Sequence, residues 1–161
     1  MGIGMRLTDY TDYSLRVLMF CAANPDRSVT IAEMAEHHVV SKNHLMKVVN
    51  DLARHGYLQT SRGRGGGLRL SKNPTEINLG DVVRHTETDF RLVECFDPTI
   101  NTCTLSDHCQ LKQVLGLALK SYLAELDKVT LADVTRVGPP GTLKGSVSVP
   151  LSAIKKAAIT P

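Results

Sequence analysis

Residues 30–72 read TIAEMAEHHVVSKNHLMKVVNDLARHGYLQTSRGRGGGLRLSK, and this stretch decides the fold. Thr30 followed three residues later by Glu33 is a capping-box pattern, in which each side chain satisfies the other's backbone donor, and it predicts a helix running to about His37. Val39-Val40 makes a short turn. Ser41 is a good N-cap for a further helix that runs to Arg54 and is ended by Gly56, with Leu45, Val48, Val49 and Leu52 as its core face. Two short helices joined by a tight turn, the second carrying Lys42, Asn43, His44, Lys47 and Asn50 outward, form a helix-turn-helix whose second helix suits the major groove of DNA.

The remainder of the stretch sharpens this. Residues 57–61 and 68–71 are short β-compatible runs around the Gly-rich segment 62–67, which predicts a hairpin with a flexible tip. Beside a helix-turn-helix such a hairpin is a wing. Its glycines let the loop approach a backbone closely, while Arg62 and Arg64 can neutralise phosphates or enter the minor groove. A nucleotide-phosphate cradle is a poor alternative, because the Lys-Ser/Thr ending of a P-loop is missing and a strand follows instead of a helix.

Charge supports a polyanion partner. The net charge is +3, but residues 41–72 hold Lys42, Lys47, Arg54, Arg62, Arg64, Arg69 and Lys72 against Asp51 alone, a local balance of +6 that leaves about −3 elsewhere. A chain of 161 residues is long enough for one domain with a core plus an extension. No apolar run approaches membrane-spanning length and residues 1–7 lack the apolar core of a signal peptide, so a cytoplasmic location without membrane association is expected. In that reducing setting four cysteines suit metal binding, redox sensing or burial better than disulfides.

Outside the central stretch, residues 9–23 carry Leu15, Val17, Leu18, Phe20 and Cys21 at helical spacing, closed by Asn24-Pro25, with Cys21 on the buried side as a small core residue. A fourth helix is predicted from Leu79 to about Glu87. An irregular segment, 89–110, then holds Cys95, Cys103 and Cys109. Beyond it a stripe of Leu111, Val114, Leu115, Ala118, Leu119, Tyr122, Leu123 and Leu126 predicts one long amphipathic helix from Gln110 to about Val134. A helix of that length on a small domain suits two-fold pairing, which would also present two recognition helices to a palindromic site. From Gly138 onward periodicity fades into a tail.

The three cysteines are separated by seven and by five residues, which is not the C-x-x-C knuckle of a zinc site. Loops of this size can wrap an iron-sulphur cluster, for which thiolates are preferred ligands. Three thiolates leave a four-iron cluster one ligand short, and an exchangeable fourth ligand suits a sensor better than an electron carrier. Zinc or another metal, thiol redox sensing and a merely structural role remain open on spacing alone. His108 adjoins Cys109 too closely for both to bind one iron comfortably, and His85 is a weaker candidate still.

Met5-Arg-Leu-Thr-Asp-Tyr-Thr-Asp-Tyr-Ser-Leu-Arg16, the Ile31-Ala-Glu-Met-Ala35 helix, Ser41-Lys-Asn-His-Leu45 and the Gly63-Arg-Gly-Gly-Gly67 wing, taken with the three cysteines, resemble the Rrf-type winged-helix regulators of bacteria, and within them the nitric-oxide-responsive repressors. The resemblance spans residues 5–133. With the residue pattern above it leads to an expected mainly α fold with a small β wing, divided into a winged helix-turn-helix domain (1–88), a cluster-binding loop (89–110), a dimerisation helix (111–137) and a flexible tail (138–161), the tail being read from fading periodicity alone. It implies a homodimer whose subunits carry an iron-sulphur cluster, 4Fe-4S favoured over 2Fe-2S, on Cys95, Cys103 and Cys109, with Asp12 of the partner subunit as fourth ligand. Asp9 is the nearby competitor, though helix N-capping is its simpler role. Ser41, Lys42, Asn43, His44, Lys47, Arg62 and Arg64 are then the expected DNA contacts. On this view nitric oxide releases the repressor from its operator, and genes for its detoxification are derepressed. A related regulator sensing iron-sulphur or redox status and a cluster-free thiol switch are the competing classes. An enzyme is disfavoured, since no nucleophile elbow, paired-carboxylate arrangement or complete metalloenzyme motif is present.

Overall fold

The structure is a computed structural model and describes residues 6–63, 65–105 and 108–135. Met5, Arg64 and the expected tail 138–161 lie outside the described residues. The elements follow in the order α1 (Asp9–Ala22), α2 (Ile31–His38), α3 (Lys42–Arg54), β1 (Leu58–Ser61), β2 (Gly67–Leu70), α4 (Leu79–Thr86), α5 (Gln110–Leu126) and α6 (Leu131–Thr135), with 3-10 turns at Pro74–Glu76 and Glu94–Phe96. The fold is mainly α with a small β wing. No described helix is long and apolar enough to cross a membrane.

The core forms where the helical stripes meet. α1 contributes Val17, Leu18 and Cys21, α2 contributes Met34 and Ala35, and α3 contributes Leu45, Val48, Val49 and Leu52, all buried. α1 packs against α3, α4, α6 and β2, so it is the central post of the fold. The wing is an antiparallel pair with Leu58 opposite Leu70 and Ser61 opposite Gly67. Val29, in the α1–α2 loop, adds a further rung through reciprocal bonds with Leu68 (3.0 and 2.8 Å), a pairing that local pattern does not reveal. The tip turns at Gly63 and Gly65, whose φ values of 97° and 76° are costly for any residue with a Cβ.

Four local expectations are corrected. Asp9 is not the cap of α1: Thr8 holds that position, its hydroxyl accepting from the Thr11 amide, and Asp9 is the first helical residue. The capping box of α2 is half made. Thr30 accepts from the Glu33 amide at 3.2 Å, but the Glu33 carboxylate is drawn to the Arg27 guanidinium. Ser41 occupies the N-cap position of α3 without a side-chain capping bond.

The fourth correction concerns the long helix. It ends at Leu126 rather than near Val134, because the chain doubles back to place Leu131, fully buried, in the core beside α1. Leu131 donates its amide to Ile77 and Leu79 donates to Val129, which fastens α6 to the start of α4. Asp127 locks the bend by pairing with both Arg84 nitrogens (2.6 and 2.7 Å). Gly80 admits that carboxylate, since a Cβ there would collide with it.

Candidate DNA interface and metal centre

α3 separates its two faces as an amphipathic helix should. Ser41, Lys42, Asn43, His44, Lys47 and Asn50 are all exposed, while Leu45, Val48, Val49 and Leu52 hold the helix to the core. The first turn therefore projects a hydroxyl, two bases and an amide from a rigid platform, chemistry suited to base edges and phosphates. Arg62 is exposed at the edge of the wing, and Arg64 lies outside the described residues. Part of the basic surplus is occupied internally. Arg69 donates to Ser28 Oγ and the Asp26 carbonyl, and Arg54 stands 3.9 Å from Asp51.

Two exposed apolar residues on this surface escape the charge-based reading. Met46 lies outside the core stripe of α3 and is 46% exposed, which its spacing alone would have shown. Val39, in the turn before α3, is 91% exposed. Nothing in its residue type announces that position.

The end of α3 is tied to α4. His55 Nδ1 is 2.9 Å from the Asp51 carbonyl, His85 Nδ1 is 2.9 Å from both the Asp81 carbonyl and the Tyr57 hydroxyl, and the two imidazoles stand 4.9 Å apart. His85 is thus engaged away from the cysteine segment. Tyr10 of α1 faces Asp51, and burial followed by that carboxylate pushes its phenol up to about 12.

The cysteine segment leaves α4 at Glu87, whose buried carboxylate accepts from the Thr8 amide (3.0 Å), the Thr8 hydroxyl (3.1 Å) and the Thr11 hydroxyl (2.8 Å). The root of the loop is thereby anchored to the first turn of α1. Arg91 braces the next stretch, clasping Asp89 (2.7 Å) and Asp97 (2.9 Å). Hydrogen bonds from Arg91 hold the Asp89 carboxyl at about 2, and Thr99 followed by Arg91 lowers that of Asp97. Between the two ends of this brace lies Cys95, buried in the 3-10 turn Glu94–Phe96.

Cys103 is half-buried, its amide donating to Asn101 Oδ1 at 3.0 Å. Cys109 is the N-cap of α5: its Sγ accepts from the Lys112 amide at 3.4 Å. No disulfide joins the cysteines. Cys21 is elsewhere, in the core, where burial pushes its thiol up to about 12 and leaves it inert. His108 is exposed. Asp12 lies on the outer side of α1, paired with Arg16 at 2.6 Å, and is not part of the cysteine loop.

Among the described residues no three His, Cys, Asp or Glu side chains are gathered closely enough to hold a single metal ion. The donor chemistry fits a multi-iron group better, because such a group takes thiolates on separate irons. Three cysteines on one loop, outside any disulfide and fastened at both ends, are that kind of donor set.

α5 differs from the other helices in burying none of its residues completely. One side, with Leu115, Leu119, Leu123 and Leu126, is half-buried toward α4, with Tyr122 in the same stripe, while Leu111, Val114 and Leu117 stand exposed. Partial burial, then the Glu87 charge, raises the Tyr122 phenol.

Comparison with known proteins agrees with this architecture. The Rrf2 family model, described as iron-dependent transcriptional regulators, matches residues 7–137. The chain is 56% identical over 133 residues to the HTH-type transcriptional regulator NsrR of Bacillus subtilis, covering 82% of this chain and 91% of that protein. It is 55% identical over 131 residues to its namesake in Bacillus licheniformis, covering 81% and 92%. Among solved structures, T. potens IscR superposes with a TM-score of 0.66 at 21% identity, covering 99% of this chain and 95% of that one, which speaks to the fold alone. With a family match over most of its length and relatives above half identity, the chain belongs to the Rrf2 family of transcriptional regulators and is not an enzyme.

Proposed function

We propose that this chain is a homodimeric DNA-binding repressor that senses nitric oxide through an iron-sulphur cluster, 4Fe-4S in preference to 2Fe-2S. One observation carries the reading: the cysteine loop is fastened at one end to α1 through Glu87 and at the other caps α5 through Cys109. A group held by that loop therefore bears on both the DNA-binding body and the helix that presents the free apolar face.

Cys95, Cys103 and Cys109 would hold the cluster, with Asp12 of the partner subunit completing the set. When bound, the cluster supplies thiolate-ligated iron whose oxygen ligand is the most replaceable, and hence the natural point of entry for nitric oxide. Arg16 orients the Asp12 carboxylate on the outer side of α1. Leu111, Val114 and Leu117 bury themselves against the same patch of a second copy, an isologous contact. That pairing presents two α3 helices to half-sites about one turn of DNA apart. Ser41, Lys42, Asn43, His44 and Lys47 reach bases and nearby phosphates, while Arg62 and Arg64 serve the wing. Both helices must dock together, so a modest change in their separation moves the protein from specific toward non-specific affinity, a gap of about 4–10 kcal/mol.

The test is anaerobic. Iron and sulphide are counted per subunit, and gel shifts compare cluster-free, cluster-loaded and nitric-oxide-treated protein on a duplex selected by the protein from a random pool. Tight binding by the loaded form alone is expected. Equal binding by all three forms overturns the sensing mechanism, and an iron-free protein with full affinity overturns the cluster.

A further inference from the structure

Val39 has a backbone conformation that its side chain does not favour. It is the only non-glycine residue with positive φ among the described residues, at φ 55° and ψ 47°, a region that crowds a β-branched side chain. The turn needs a left-handed residue there: the Val39 amide bonds back into the last turn of α2 and the Val40 amide reaches the Ala35 carbonyl at 3.0 Å, the usual glycine-type stop. Glycine or asparagine would satisfy that backbone at lower cost. Val40 packs against the core, whereas the Val39 side chain is 91% exposed and supports nothing in the subunit.

Its location supplies a use. Val39 stands two residues before Ser41, at the mouth of α3, beside the exposed Lys42 and Asn43. A lone isopropyl group is too small to dock a protein, and phosphates would call for a donor. The apolar group that the major groove offers is the C5-methyl of thymine. We propose that Val39 is a base-reading residue, its isopropyl group packing on a thymine methyl next to the bases faced by the first turn of α3. This rests on the reading of the chain as a DNA-binding protein and is independent of the cluster.

The experiment uses full-length protein handled anaerobically and a duplex it selects from a random-sequence pool. Each thymine is replaced in turn by uracil, which removes only the methyl, and binding is followed by fluorescence anisotropy. The wild type is expected to lose about fourfold in affinity at one thymine per half-site, the scale of one buried methyl group. In Val39→Ala that uracil penalty vanishes, and affinity for the unmodified duplex falls by a similar factor. Val39→Gly behaves likewise on DNA but raises the melting temperature, since it relieves the backbone. An unchanged uracil penalty in Val39→Ala, or no sensitive thymine at all, overturns the inference. A pool that yields no preferred sequence overturns it together with the DNA-binding reading, and the absence of any consensus tells the two failures apart.

Discussion

α3 and α5 are both amphipathic, and they spend their amphipathicity in opposite ways. α3 hides its entire apolar stripe in the subunit and shows solvent a face of small polar and basic groups, apart from Met46. α5 buries no residue fully and leaves Leu111, Val114 and Leu117 each more than half exposed. The first is finished within one chain and awaits a charged ligand. The second is unfinished, and its free face calls for apolar burial. An exposed apolar stripe on a helix that is half-seated on its own domain suits the proposed protein partner better than a nucleic acid.

The comparison can be broken most forcefully at α5. In the proposed dimer, Leu117→Asp puts a charge into the contact twice, once per subunit, forfeiting about 3–6 kcal/mol of apolar burial for the two leucines together. Light scattering should then give half the wild-type mass at micromolar concentration, with the far-UV spectrum retained. An unchanged mass would mean that the free face of α5 is not the interface.

At α3 the effect is smaller and of a different kind. Lys47→Ala should weaken binding nearly uniformly across sequences and reduce the slope of log affinity against log salt by about one per subunit, as for a phosphate contact. A change confined to one base position would instead make Lys47 a base reader.

Smaller again is the effect at Cys109, where the two halves of the molecule meet. Its Sγ caps α5, so in cluster-free protein Cys109→Ala should cost about 1 kcal/mol of stability, while Cys109→Ser keeps the cap and should match or exceed the wild type. Both variants should lose iron. Equal melting temperatures for the two cluster-free variants would show that the cap carries no weight.

The smallest effect is local. The Asp89 carboxyl is held at about 2, below its ordinary 3.8, by Arg91. A depressed carboxylate contributes order that is fully present above pH 3.8 and fades as pH falls toward 2. Carboxyl NMR should find that midpoint near 2, returning to the ordinary value in Arg91→Ala.

The helix-turn-helix and wing were legible because their signals are local. Leu45, Val48, Val49 and Leu52 recur at the helical period, and a glycine-rich tip between β-compatible runs leaves few alternatives to a hairpin. The three cysteines and the exposed polar residues of α3 were likewise legible as residue types in a pattern. The end of α5 was not, because its stripe continues in period through a bend at Asp127, which is held by Arg84 and admitted by Gly80, both more than 40 residues away on α4. Thr8 replaced Asp9 as cap for a similar reason: a carboxylate 76 residues or more away, Glu87, organises that turn.

By itself, then, the sequence determined which faces are apolar, which are basic and where the thiols lie, since period and composition act over a few residues. Tertiary structure decided where the helices stop and what each free face has left to do. Leu131 is buried only if the chain turns back at Asp127, the thiol loop gains its anchor only when Glu87 meets Thr8 and Thr11, and Val39 is exposed only because Val40 takes the inward place. Each of these is a competition for burial or for a hydrogen-bond partner among distant residues, and it is settled only when those residues are packed together.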